Sequence, residues 1–353
     1  MNSDWILTKR SHTTGLEPMV KVLVTGGAGF IGSHFVHHAL SHHNDWYITT
    51  VDKLTYAGRL ENLVEALDHP RHSFVRGDVT DASVVVPLVR DANLVIHFAA
   101  ETHVDRSIQE AGDFITTDVY GTFVLLEAAR SAKHLHRFVQ ISTDEVYGSI
   151  SSGTSKETDE LKPSNPYSAS KVGADRLAYS YWATYNVPTI ITRSSNNYGS
   201  NQFPEKVIPL FITNAIDDMP LPLYGDGQHV RDWLHVQDHC AALDLLIQHG
   251  ETGEVYNIGG GNEIQNSDLT QQILSLLKKP SSLIRKTTDR PGHDRRYSLD
   301  TSKLFALGWR PQIDFSTGIR ETANWYMENE EWWRPIKEDP RFKSYDQKQY
   351  GGL

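Results

Sequence analysis

A β-branched run, KVLVT, passes directly into Gly26-Gly27-Ala28-Gly29-Phe30-Ile31-Gly32 and then into SHFVHHAL, whose apolar residues recur at helical spacing. Glycine at 26 and 29 permits positive φ and lets backbone N–H groups approach a pyrophosphate, which then sits at the positive end of the helix. Gly32 lets that helix pack on the strand. A glycine triplet alone is weak evidence, but this one has a strand before it and a helix after it. The next run, YITTVD, ends at Asp52, close to the offset of about 20 residues at which a carboxylate accepts hydrogen bonds from an adenosine ribose diol. An anion there repels a 2′-phosphate and so favours NAD over NADP. The alternative for Asp52 is a turn cap ahead of Lys53. Asp78, in RGDVTD, is either a contact at the adenine end or a turn former.

From Val20 onward, KVLVTG, YITTVD, HSFVRGD, LVIHFAA, RFVQIST and TIITRSS alternate with helical stretches. This rhythm predicts an α/β chain of the Rossmann type: a doubly wound parallel sheet covered on both faces, with ligands beyond the carboxyl ends of its strands. A length of 353 residues leaves room for a smaller, discontinuous substrate-binding lobe. After Arg193 the composition shifts to Pro, Gly and Asn (NNYGSNQFPEKVIPL, PLPLYGDGQ, NIGGGNE), which marks loops. DWLHVQDHCAALDLLIQ and GEVYNIG again read as helix and strand returning to the sheet. The expected NAD-binding domain is 19–195 with returning segments near 232–260, and the substrate lobe is 196–231 with 261–335. Residues 1–18, polar and aperiodic, are expected to be a flexible arm, and 336–353 a tail.

The count of 34 basic against 44 acidic side chains gives a net charge of −10, which argues against nucleic acid or an anionic membrane as partner. Any anionic ligand must therefore meet a local basic site. No apolar run reaches bilayer length, and the first residues lack the apolar segment of a signal peptide. Cys240 is the single cysteine, so a reducing compartment is natural and the cytoplasm is the expected location. His34, His37, His38, His42 and His43 crowd the first helix. Without a cysteine or acidic ligand set they read as a solvated helix face, and no metal is expected.

Tyr167 and Lys171 in PYSASK stand four apart, on one face of a helix. An adjacent ammonium and a nicotinamide's positive charge favour the phenolate, making Tyr167 a base for a hydroxyl whose carbon loses hydride. RFVQIS ends in Thr143-Asp144-Glu145, placing paired carboxylates at the ligand edge of the sheet. Alcohol oxidation needs one base, whereas eliminating water from a sugar needs both a proton acceptor and a proton donor. Two solvated loop charges are the alternative.

These motifs, together with VDKLTYAG, HFAAETHVDRSI, RSSNNYG, QFPEKVIPL, PLYGDGQHVRDW, YNIGGGNE and DRPGHDRRYSLD, resemble the extended short-chain dehydrogenase/reductases, and within them the dTDP-glucose 4,6-dehydratases. The likeness runs from about Val20 to Trp333. It implies a nucleoside-diphosphate-glucose substrate, NAD as cofactor, and redox-neutral loss of water giving a 4-keto-6-deoxy sugar. It implies that Tyr167 deprotonates the carbon 4 hydroxyl with Lys171 beside it and Thr143 bonded to the same oxygen. Glu145 then takes the carbon 5 proton while Asp144 protonates the departing carbon 6 hydroxyl. NAD contacts are implied for Phe30, Ile31, Asp52, Lys53, Leu54, Thr55, Asp78, Val79, Thr117, Tyr167, Lys171 and Asn197, besides Gly26, Gly29 and Gly32.

Substrate contacts are implied for Thr102, Thr143, Asn196, Lys206, Val207, Leu223, Tyr224, Arg231, Asn266 and His293. Lys206 and Arg231, with Arg295 or Arg296, also make electrostatic sense, because an acidic chain must concentrate cations around a pyrophosphate. The helices around FITTDVYGTFVLLEAARSA and SASKVGADRLAYSYWATY carry apolar stripes on more than one face, and a homodimer through a four-helix contact is expected. Two residues depart from the family pattern: Asp118 stands where asparagine is usual, and Ser200 replaces the proline of NNYGP. The rival readings are a 4-epimerase, a hexuronate decarboxylase, a UDP-glucose 4,6-dehydratase, and a non-catalytic NAD-binding scaffold.

Overall fold

The computed structural model describes residues 19–351; the expected arm at 1–18 lies outside them. In chain order the strands are β1 (Val20–Thr25), β2 (Trp46–Asp52), β3 (His72–Arg76), β4 (Leu94–His97), β5 (Arg137–Thr143), β6 (Thr189–Ser194), β7 (Asn196–Tyr198), β8 (Leu221–Tyr224), β9 (Val230–His235), β10 (Val255–Ile258), β11 (Glu263–Gln265) and β12 (Ile284–Thr287). The helices are α1 (Phe30–His42), α2 (Val64–Leu67), α3 (Ala82–Asp91), α4 (Val104–Gln109), α5 (Ala111–Phe114), α6 (Gly121–Arg130), α7 (Pro166–Tyr185), α8 (Val207–Ile216), α9 (Val236–His249), α10 (Asn266–Leu276), α11 (Ser302–Ala306), α12 (Phe315–Glu328), α13 (Glu330–Glu338) and α14 (Pro340–Tyr350). A π-helical turn, Ile115–Tyr120, joins α5 to α6.

The main sheet runs β10-β6-β5-β4-β1-β2-β3, and every pair in it is parallel. Its order reverses between β1 and β4, and such a reversal opens a crevice at the carboxyl ends. Successive residues of β1 face opposite sides. Val22 and Val24 enter a core with Phe35 and Val36 of α1 and Leu243 and Leu246 of α9. Leu23 enters a second core with Val89 of α3, Leu125 of α6 and Ala178 of α7. Burial on both faces explains why these strands read as continuous apolar runs.

A third core, with Tyr198, Phe211, Trp233, Ile273, Phe315 and Trp333, holds the smaller lobe. Its sheets are β11-β9-β7 and β12-β8. Strand β10 does return to the main sheet beside β6, whereas β9 pairs with β7 and β11. Among the described residues, no helix is long and apolar enough to cross a membrane.

Two expectations are corrected. The segment from 336, expected as a tail, continues α13 and forms α14, with Ile336, Phe342 and Tyr345 buried. The Asp339 side chain caps α14 by accepting from the Arg341 N–H at 2.8 Å, with Pro340 in the first turn, a helix-start signal that the polar composition concealed. Of the five histidines His42 is exposed, but the other four are not a solvated face, because α9 and neighbouring loops lie against them. His38 and His43 reach Asp244 at 3.1 and 2.8 Å, His34 meets the Ser200 carbonyl at 2.9 Å, and His37 the Asn62 carbonyl at 2.9 Å.

Candidate active site

The glycine turn leads into a cleft at the strand ends. Gly26 has φ 68°, and a Cβ there would stand 2.6 Å from the Ala99 nitrogen, so only glycine fits. A Cβ on Gly29 would meet only the Gly26 carbonyl, at 3.2 Å, so the turn leaves its outer side open for close approach by a ligand. Asp52, at the end of β2, accepts from the Ala28 N–H at 3.0 Å and the Leu54 N–H at 2.8 Å. Burial pushes its carboxyl up, and those two bonds oppose the rise. Lys53 pairs with Asp78 at 2.7 Å.

The expected cofactor residues come together here: Gly26, Gly29, Phe30, Ile31, Gly32, Asp52, Lys53, Thr55, Asp78, Val79, Thr117, Tyr167, Lys171 and Asn197 all line the cleft. Leu54 does not. It is held at φ 57° and packs against the core, leaving its backbone N–H to orient Asp52. Buried oxygens of Ser142 and Asn196 have no hydrogen-bond partner, yet both residues line the same cleft, which suits a polar ligand. A shallow glycine turn, an acid at the end of β2 and open polar atoms beyond β5 and β6 together fit a dinucleotide.

At the inner end, β5 delivers Thr143, and a tight 3₁₀ turn, Asp144–Tyr147, follows. The Thr143 hydroxyl donates to Asp144 Oδ1 at 3.1 Å and accepts from the Glu145 N–H at 3.3 Å. Arg193 holds the turn from behind. Its guanidinium pairs with Asp175 at 2.8 Å and donates to the Tyr147 hydroxyl at 2.8 Å. Helix α7 starts with a reciprocal cap, Asn165 Oδ1 accepting from the Ser168 N–H at 2.9 Å and Ser168 Oγ from the Asn165 N–H at 3.3 Å. Pro166 at its first position places Tyr167 in the first turn and Lys171 one turn on.

Burial pushes the Asp144 carboxyl well above its usual range, and the neighbouring Glu145 pushes it further. Burial also raises Glu145, but the cations Arg290, Arg231 and Lys206 oppose that rise. Adjacent carboxyls whose surroundings pull them apart suit division into an acid and a base. For Tyr167 the protein's own groups oppose the phenolate. Burial first, then Glu145, Asp118 and Asp144, push its phenol well above the ordinary value, against a hydrogen bond with Thr143. The Lys171 ammonium, itself lowered by burial, donates to the Ile141 carbonyl at 2.8 Å.

Of the expected substrate residues, Thr102, Thr143, Asn196 and Lys206 line the cleft. Val207, Leu223, Tyr224, Arg231, Asn266 and His293 do not line it; they belong to the adjoining lobe. Arg231 connects the two, stacking 4.4 Å from the Tyr297 ring, whose hydroxyl donates to Glu145 at 3.4 Å and to Asp294 at 2.6 Å. Sequence reasoning passed over Tyr297, Asp294 and Arg290; the DRPGHDRRYSLD motif held them, but nothing local tied them to Glu145. It also passed over His229, whose ring stacks on His293 at 3.7 Å and 11° and shares Asp289 with it. His293 Nδ1 hydrogen-bonds Asp289 Oδ1 at 2.6 Å, and His229 Nε2 lies 3.3 Å from Oδ2. Arg295 and Arg296 pair with Asp226 at 2.8 Å and Glu263 at 2.6 Å on the surface.

A parallel sheet with this reversal, a glycine turn at its crevice and a tyrosine–lysine helix beside it define an extended short-chain dehydrogenase/reductase. The profile of the GDP-mannose 4,6 dehydratase family matches residues 23–322. The dTDP-glucose 4,6-dehydratase of Actinoplanes sp. is 52% identical over 322 residues, covering 89% of this chain and 100% of its own. A crystal structure of the dTDP-glucose 4,6-dehydratase of Streptomyces venezuelae, with NAD and TYD bound, superposes with a TM-score of 0.88 at 49% identity, covering 90% of this chain and 100% of that one. A UDP-glucose 4-epimerase from Thermus thermophilus, in complex with NAD, shares the fold at TM-score 0.81 but only 30% identity, over 88% of this chain and 100% of its own. The chain belongs to the dTDP-glucose 4,6-dehydratase family.

Proposed function

We propose that this chain removes water from dTDP-glucose to give dTDP-4-keto-6-deoxyglucose, with NAD held along the glycine turn and Asp52. The observation that carries the reading is the buried Asp144–Glu145 pair beside Tyr167. Simple oxidation or epimerisation at carbon 4 needs no such pair, whereas elimination needs both members.

NAD in this cleft supplies a hydride acceptor for sugar carbon 4, a donor for carbon 6, and a positive ring charge beside Tyr167. Tyr167 takes the carbon 4 hydroxyl proton, and Thr143 hydrogen-bonds the same oxygen. The resulting ketone acidifies the carbon 5 hydrogen, which Glu145 removes. Asp144, kept protonated by burial and by Glu145, donates to the departing carbon 6 hydroxyl. Lys206 and Arg231, with Asn196, Asn266, Tyr224 and His293, hold the nucleoside diphosphate. Arg295 and Arg296 are engaged by surface acids and take no part. The test is product mass after incubation with dTDP-glucose and, separately, UDP-glucose. Loss of one water from dTDP-glucose, with no net accumulation of reduced cofactor, is expected. An unchanged mass, or turnover confined to UDP-glucose, would contradict the reading.

The chain also pairs with a second copy in this reading. Ile115, Tyr120 and Phe123 before and on α6, and Tyr179 and Tyr185 on α7, leave large apolar side chains exposed, which supports a four-helix contact. The buried thiol of Cys240 needs no oxidising compartment, in keeping with a cytoplasmic setting.

A further inference from the structure

Asp118 lies in the π-helical turn between α5 and α6 and is only 1% exposed. Its Oδ1 accepts from the Glu101 N–H at 2.8 Å and its Oδ2 from the Ser170 hydroxyl at 2.6 Å. That hydroxyl also donates to the Tyr167 carbonyl at 2.8 Å. One carboxylate thus ties together the strap after β4, which lines the cleft through Glu101, and the turn of α7 that carries Tyr167 and Lys171. Neither hydrogen bond demands a charge, because an asparagine amide in the same place can accept from Glu101 and donate to Ser170. The carboxylate adds something an amide cannot: a negative charge beside a buried ammonium and a buried phenol.

We propose that Asp118 is a positioning residue whose charge sets the pH window of the Tyr167–Lys171 pair, shifting it upward relative to an amide at the same place. The inference rests on the dehydratase reading above. Facing Asp118 from α7 are Tyr167 and Lys171, with Asp175 also acting on Lys171; from the strap comes Glu101, itself under the charges of Asp113 on α5, Lys53 and Arg106. The charge works on both members of the pair in one direction. A negative neighbour disfavours the phenolate and favours the ammonium, so it raises the titration of each. Burial pushes Asp118 up to about 6, against Lys171, Ser170 and the Glu101 N–H, so the charge is present above that pH and fades below it.

The test compares wild type with Asp118→Asn, which preserves size and both hydrogen bonds; an unchanged melting temperature at neutral pH confirms that the fold is intact. The NAD-bound protein is labelled with ¹³C-ζ tyrosine, and the Tyr167 resonance is assigned by its loss in Tyr167→Phe. The expected result is that Tyr167 titrates about one pH unit lower in Asp118→Asn, and that the acid limb of kcat/KM moves down with it. A Tyr167 titration that stays in place overturns the inference, even if turnover falls, since a purely structural role lowers amplitude without moving the titration. Absence of dehydration by the wild type would instead defeat the dehydratase reading.

Discussion

The Lys171 ammonium donates to the Ile141 carbonyl at 2.8 Å, fastening α7 to β5 just before the strand delivers Thr143. The bond is buried, and its geometry fixes the distance between the helix carrying Tyr167 and the turn carrying Asp144 and Glu145. Lys171→Met keeps the bulk but removes donor and charge. Steady-state kinetics are expected to show kcat reduced by about 10²-fold or more; a loss under about threefold would remove Lys171 from both roles.

Glu145 takes the carbon 5 proton in this account, so Glu145→Gln separates oxidation from elimination. The variant is expected to bind NAD as wild type does, and to reduce it when sugar is added, while product formation slows by about 10²- to 10⁴-fold. Rapid-quench mass spectrometry with absorbance detection of the reduced nicotinamide reads both events. Wild-type turnover in this variant would exclude Glu145 as the base.

Arg193 is 1% exposed and pairs with the fully buried Asp175 at 2.8 Å. Arg176 also donates to Asp175, at 2.8 Å, so losing Arg193 leaves the carboxylate one partner rather than none. Arg193→Met is therefore expected to lower unfolding stability by about 1–3 kcal/mol. Because Arg193 also holds Tyr147, activity per folded molecule is expected to fall as well. Urea denaturation and active-site titration measure the two effects.

Burial works to raise the Asp244 carboxyl, but hydrogen bonds from His38, His43 and Gln248 outweigh it and hold the group well below its usual range. A depressed carboxyl contributes stability above its unfolded value, near 3.9, and that contribution is lost as pH falls through the folded value. Asp244→Asn is expected to cost about 2 kcal/mol at pH 7 and little at the acid end, narrowing the pH dependence of the melting temperature. A difference between variant and wild type that stays constant from pH 7 down to about pH 2 would contradict the linkage.

Much of this architecture was legible because the strands that build the crevice are apolar on both faces, and because TGGAGFIG and PYSASK each carry their geometry within a few residues. The pieces that escaped are those whose meaning depends on a distant partner. His38 looked solvated because Asp244 lies 206 residues away. Tyr297 and Glu145, 152 residues apart, meet only once the smaller lobe closes over β5. Helix α14 was concealed by polar composition, although Asp339-Pro340 announced its start. The easing of Tyr167 was expected from Lys171 and a nicotinamide charge together; among the protein's own groups, burial first and then the carboxyls of Glu145, Asp118 and Asp144 push the other way. Asp118, noted in sequence only as an unusual acid, proved to be among those carboxylates.

The central claim is that hydrogen leaves sugar carbon 4 and returns to carbon 6 of the same molecule while the acid–base pair expels water. dTDP-glucose deuterated at carbon 4, mixed with unlabelled substrate and followed by NMR and mass spectrometry, tests it directly. The account predicts deuterium at carbon 6 of the 4-keto-6-deoxy product, without crossover between molecules. Deuterium retained at carbon 4, or washed out into solvent, would contradict it.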